Sequence, residues 1–145
     1  MFKKTIPFLF ITAVLLTGCK KGTMIEEMKV LTIENITIHE QFQAAIDSSK
    51  SGKDVAAAID KFTDATVSLR KRSMALGKKY PSIIENSDFP ELKEVNTKLA
   101  SVSQEISKKM TAVMEKYKNN KDIIKALNNL EIKLIIPIEP PANTK

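Results

Sequence analysis

Residues 51–79, SGKDVAAAIDKFTDATVSLRKRSMALGKK, decide the fold. Ser51 followed three positions later by Asp54 is a variant of the capping box, in which each side chain satisfies a backbone N–H at a helix start. From there Val55, Phe62, Leu69 and Leu76 recur every seven residues. A second row, Ile59, Thr66, Ser73 and Tyr80, turns polar in its middle. One fully apolar row beside a half-polar one describes a helix with a single strong seam. That suits a bundle, because a self-sufficient two-stranded coiled coil needs both rows apolar. The pattern predicts a helix from about Ser51 to Lys79.

Downstream, Pro81 stops this helix and Asn86-Ser87-Asp88 supplies turn chemistry, so residues 80–88 form the longest internal loop. Asp88 and Glu91, with Pro90 in the first turn, read as a second capping box opening a third helix. Its seam is Leu92, Leu99, Ile106 and Val113, with Val95 and Val102 in the neighbouring row, which then slips to Met110 and Tyr117. Asn119 and Asp122 repeat the capping signal. Ile123, Leu127, Leu130 and Leu134 follow at 4-3-4 spacing as a shorter fourth helix. Pro137, Pro140 and Pro141 end regular structure, and residues 137–145 are expected as an extended, disordered tail.

Upstream, Met24, Met28, Leu31, Ile38, Phe42 and Ala45 or Ile46 fall at helical spacing, with Asn35 in the stripe. Val30, Thr32, Ile33, Ile36, Thr37 and Ile38 are β-branched and lower helix propensity. No hairpin signal interrupts the run, so residues 24–49 are expected to be helical rather than a strand pair. Ser49 to Gly52 is the turn into the capping box. The fold class is therefore all-α: a small antiparallel bundle of three long helices plus a short fourth, spanning residues 24–136.

Composition agrees. The chain has 145 residues, 43% hydrophobic and 28% charged, with four glycines and no tryptophan. Such a balance supports one hydrophobic core and excludes a disordered chain. The net charge of +6 falls to +4 without Lys3 and Lys4. That is too little, and too scattered, to point to nucleic acid.

The first 19 residues have another layout. Lys3 and Lys4 are followed by an apolar run from Ile6 to Leu16, then by small residues and Cys19, the single cysteine. Eleven residues are too few to span a bilayer but suit an export signal. Leu16-Thr17-Gly18-Cys19 resembles the lipobox of bacterial lipoproteins: an aliphatic residue, a small residue, Gly or Ala, then Cys. The resemblance covers the leader alone. It implies cleavage before Cys19, so that residues 1–18 are a signal peptide. It also implies diacylglycerol on the Cys19 sulfur and a further acyl chain on the new N-terminus. Several acyl chains, at about 0.8 kcal/mol per buried CH₂, make attachment effectively permanent. Residues 19–23 are then the lipidated cysteine and a short tether, with Lys20 and Lys21 at head-group level. Lys rather than Asp follows the cysteine; by the sorting rule of enteric lipoproteins this implies the outer membrane of a diderm bacterium.

Catalytic and cofactor signatures are sparse. His39 is the sole histidine, and His39-Glu40-Gln41-Phe42-Gln43 lacks the second histidine of a zinc-protease helix. No Gly-x-Ser-x-Gly elbow and no phosphate-cradling glycine loop occurs. His39 with Met74, Met110 or Met114 would match a b-type haem ligand set, although methionines at helical spacing are usually core filling. Asp60 and Asp64 lie one turn apart, and Glu26 and Glu27 are adjacent, but two carboxylates supply too few oxygens for calcium. No metal and no cofactor is expected. The remaining feature is a basic run, Arg70, Lys71, Arg72, Lys78 and Lys79. It is either an anionic-partner patch for glycan or lipid, or the solvated end of a helix whose dipole favours cations.

These readings converge on a lipid-anchored, non-catalytic envelope protein with a structural or protein- and surface-binding role. Its partners would be membrane lipid through acylated Cys19 and an envelope protein or anionic glycan or lipid. One alternative is an accessory subunit or inhibitor of an envelope enzyme or secretion complex. A second is a haem or small-ligand carrier using the bundle interior.

Overall fold

Ser51 is an N-cap, as its side chain requires. In the computed structural model, which describes residues 20–81, 83 and 89–135, its backbone is extended (φ −141°, ψ 163°). Its hydroxyl oxygen accepts from the Asp54 amide at 3.2 Å, and the Asp54 carboxylate accepts from the Ser51 amide at 2.9 Å. The box therefore opens a helix that ends where Pro81 forbids continuation. Around it the chain forms α1 (Lys20–Ser48), α2 (Gly52–Lys79), a 3-10 turn (Pro90–Leu92), α3 (Lys93–Lys116) and α4 (Lys121–Ile135). The described residues contain no strand, and the all-α bundle stands.

Three local expectations need correction. Residues 20–23, expected as a tether, are the first turn of α1. Nothing in Lys-Lys-Gly-Thr stops a helix, and burial of Met24 and Ile25 directly after it anchors that turn. The box assigned to Asp88 and Glu91 is not the start of the third helix. Asp88 lies outside the described residues, and Phe89 takes the N-cap position of the 3-10 turn with no side-chain cap. Burial of Phe89 and Leu92 holds that corner instead. Pro90 does open the turn, where its missing N–H costs nothing. The fourth helix is capped one residue later than expected. Asn120, not Asn119, accepts from the amides of Asp122 (3.0 Å) and Ile123 (3.2 Å).

The β-branched run of α1 is helical throughout. Thr32 and Thr37 turn their hydroxyls onto carbonyls one turn back, those of Met28 and Ile33, which satisfies them inside a helix. Packing supplies the rest: Ile36 and Phe42 are buried, and tertiary contact outweighs a weak intrinsic propensity.

Side-chain pairs between the helices give the topology. Glu27 meets Lys79 and Glu34 meets Arg72, so α1 and α2 are antiparallel. Glu40 meets Lys98, Gln43 meets Glu105 and Asp47 meets Lys109, so α3 lies along α1 in the same direction. Asp60 meets Asn129 and Asp64 meets Lys133, so α4 lies along α2 in the same direction. Successive helices alternate up and down. The short fourth helix rests on α2 alone, not across the bundle, and α3 and α4 do not approach each other closely.

Two hydrophobic clusters fill the interior. The larger joins Phe42 of α1, Val55, Ala58 and Ile59 of α2, Ile106 and Val113 of α3, and Ile123 and Ala126 of α4. The smaller closes the end where α1 begins and α2 finishes, from Met24, Ile25, Phe89 and Leu92, with Tyr80 and Ile83 against them. Thr63 is the one fully buried polar side chain among the described residues; it donates to the Ile59 carbonyl at 2.7 Å. No described helix is long and apolar enough to cross a membrane.

Candidate functional site

The lipobox residues Leu16, Thr17, Gly18 and Cys19 lie outside the described residues. What the structure adds is that Lys20, the residue after Cys19 and the first one described, is already helical.

The basic run does not come together as one patch. On a helix, residues 70, 71 and 72 are about 100° apart, and Arg70 and Arg72 meet different neighbours. Arg70 donates to the Leu134 carbonyl at the end of α4, a place where a cation complements the exposed carbonyls. Arg72 pairs with Glu34 of α1, which raises the guanidinium pKa above its ordinary value. Lys79 pairs with Glu27 at 2.6 Å and lies 5.0 Å from the centre of the Tyr80 ring. The Glu27 contact, then Tyr80, raises the Lys79 pKa. Glu27 is lowered in return, chiefly by Lys79, against the opposing effect of burial and with a lesser contribution from the Tyr80 hydroxyl. Lys71 and Lys78 are exposed and make no ion pair among the described residues.

The other sequence candidates are likewise engaged locally. His39 places Nδ1 2.8 Å from the Asn35 carbonyl, so this nitrogen carries the proton and donates. Its ring meets Phe62 edge-on, with centroids 5.3 Å apart, and Phe62 stacks on Phe42. Met74 and Met114 are exposed, whereas Met110 packs on the larger core. Asp60 accepts from Asn129 at 3.0 Å and Asp64 pairs with Lys133 at 2.7 Å, so these carboxylates hold α4 to α2. Among the described residues no group of three or more His, Cys, Asp or Glu side chains converges on a metal site.

A feature that the heptad and stripe patterns did not announce is a groove of about 450 Å³ on the outer face of the α1–α2 pair. Thr23, Glu26, Glu27, Val30 and Leu31 form one wall, and Arg72, Ala75, Leu76 and Lys79 the other. The Glu27–Lys79 and Glu34–Arg72 pairs lie along the seam between its two walls. The floor is apolar, and Val30 is 61% exposed, with Ile33 one turn further at 47%. The available signal was that Val30 and Ile33 lie off the apolar stripe of α1. Ala75, on the wall opposite Val30, is 45 positions away from it and carries no pattern of its own. The groove lies at the end of the bundle from which α1 leaves Cys19. No protein-family model, curated protein or solved structure matches this chain.

Proposed function

We propose that this chain is a lipid-anchored envelope protein whose helical bundle serves a structural or binding role, without catalysis, at the membrane surface. The observation that carries the reading is the junction between anchor and bundle. Leu16-Thr17-Gly18-Cys19 has the order and spacing of a lipobox, and the next residue, Lys20, is already helical. A flexible linker lets a domain roam several nanometres from its anchor. A helix that begins beside the lipidated residue instead holds the bundle end formed by Met24, Ile25, Phe89 and Leu92 close to the head groups. Lys20 and Lys21, in that first turn, add attraction to an anionic surface.

Metabolic labelling with a clickable fatty acid tests this directly. The wild-type chain is expected to incorporate the probe and to sediment with membranes, and Cys19→Ala to do neither. Equal labelling of the two, or no label on the wild type, refutes the anchoring. Cross-linking in intact envelopes then identifies what the bundle meets: one dominant enzyme partner favours an accessory subunit, and bulk anionic glycan or lipid favours surface binding.

A further inference from the structure

We propose that the α1–α2 groove holds one of the acyl chains carried by Cys19, an inference that rests on the lipid-anchoring reading above. Position is the first argument. Cys19 is bonded to Lys20 in the first described turn of α1, and Thr23, at the near end of the groove, is three residues beyond Lys20, about 4.5 Å along the axis. A chain attached at Cys19 starts within one helical turn of the groove mouth. Chemistry is the second. The apolar part of the lining is Val30 and Leu31 on one wall and Ala75 and Leu76 on the other, and the nearest opposite charges, Glu27 with Lys79 and Glu34 with Arg72, neutralise each other beside it. Of the two lining carboxylates, Glu27 is paired, and Glu26, which makes no ion pair among the described residues, is exposed to solvent. Shape is the third. From Thr23 to Leu31 the α1 wall runs about 12 Å, and a volume of about 450 Å³ lies within the range of small-ligand sites. An occupant there covers Val30, one of the most exposed large apolar side chains.

The consequence is an anchor of adjustable strength. With one chain in the groove and the others in the bilayer, the protein holds the membrane less tightly than with every chain inserted, and no bond has to break to move between the two states.

The test uses the full chain, processed by cells fed a fatty acid that carries a mid-chain diazirine and a terminal alkyne. After irradiation, the cross-linked peptides are identified by mass spectrometry. The expected result is a cross-link from the Cys19 lipid to peptides containing Val30–Leu31 and Ala75–Leu76. It is lost in Ala75→Trp, which fills the groove from an exposed position, while acylation and the helical circular dichroism spectrum persist. Cross-links to bilayer lipid alone, or groove cross-links that persist in Ala75→Trp, overturn the proposal and leave the anchoring intact. Cross-links between light and isotopically heavy chains assign the groove to a second copy and overturn it too. Labelling of the Cys19→Ala groove by the free probe assigns it to loose lipid and likewise overturns the proposal. A wild-type chain that acquires no probe overturns the anchoring and the occupant together.

Discussion

The side chain of Asn120 occupies the space that a Cβ on Gly52 would need: Cγ of Asn120 lies 2.9 Å from that point, and its amide nitrogen is closer still. Asn120 is not free to move aside, because its Oδ1 accepts from the amides of Asp122 and Ile123 and so caps α4. The first residue of α2 and the cap of α4 thus lock two helix starts together. Gly52→Ala is expected to destabilise the fold by about 1 kcal/mol, the usual cost of losing a side-chain cap. Gly77 is the control. A Cβ there meets nothing within 4 Å, and the residue lies inside α2. Gly77→Ala is expected to stabilise by about 0.5 kcal/mol through helix propensity and a less disordered unfolded chain. Urea denaturation of the two variants beside the wild type checks both signs.

What was legible in the sequence was what short-range physics determines. The box at Ser51 and Asp54, the seam from Val55 to Leu76 and the stop at Pro81 are local, and the structure places α2 where they say. The seam of α3 was largely readable: Val102, Ile106 and Val113 are buried, as is Leu92 in the 3-10 turn before the helix, while Leu99 is half-buried. In α1 the pattern blurs because the helix has apolar residues on three sides. Ile36 and Phe42 are buried, while Val30 and Ile33 point outward toward or beside the groove. A single stripe cannot describe such a helix. The basic run left two readings open for a related reason. Arg70 and Arg72 are close in the chain but are claimed by Leu134 and Glu34, which only the folded topology brings near.

The capping box carries a pH dependence. The Asp54 carboxyl is held below its ordinary value of 3.8, first by the Ser51 hydroxyl and then by the Lys50 amide. A depressed carboxylate pKa means that the unfolded chain binds its proton first as the pH falls. The stabilisation is then fully present well above 3.8 and is lost as the pH falls through the folded value. Glu27, lowered mainly by Lys79, acts in the same direction from its ordinary value of 4.5. The stability difference between wild type and Asp54→Asn is expected to shrink on acidification from about pH 6 to about pH 2. Ser51→Ala, which removes the cap hydroxyl, is expected to cost about 1 kcal/mol at neutral pH. A difference that stays constant across the acid range contradicts the assignment.

Thr66 presents the opposite case, a polar group whose removal helps. Its Oγ1 is buried on the half-polar row of α2 and has no hydrogen-bond partner among the described residues. Thr63, one turn earlier, satisfies its own hydroxyl on the Ile59 carbonyl. A buried hydroxyl without a partner forfeits its hydration and gains nothing in exchange. Thr66→Val keeps the shape and removes the unmatched oxygen, so it is expected to stabilise by about 1 kcal/mol. Thr63→Val breaks a satisfied bond and is expected to be neutral or destabilising. Thermal denaturation that ranks the two variants the other way contradicts the reading.

Ile59 and Val30 separate the two apolar surfaces of the molecule by their response to truncation. Ile59 has no exposed surface and touches the core to which all four helices contribute. Ile59→Ala removes buried methyl groups and leaves a cavity among side chains that cannot all relax, at a cost of roughly 2–5 kcal/mol. For a chain of this size that is a large share of the total stability. Val30 lies in the groove wall at 61% exposure, so Val30→Ala is expected to change stability by less than about 0.5 kcal/mol. The same substitution is expected to weaken cross-linking of the Cys19 lipid to the groove. A Val30→Ala variant that unfolds as readily as Ile59→Ala would mean that the groove face belongs to the core and is not free to receive a ligand.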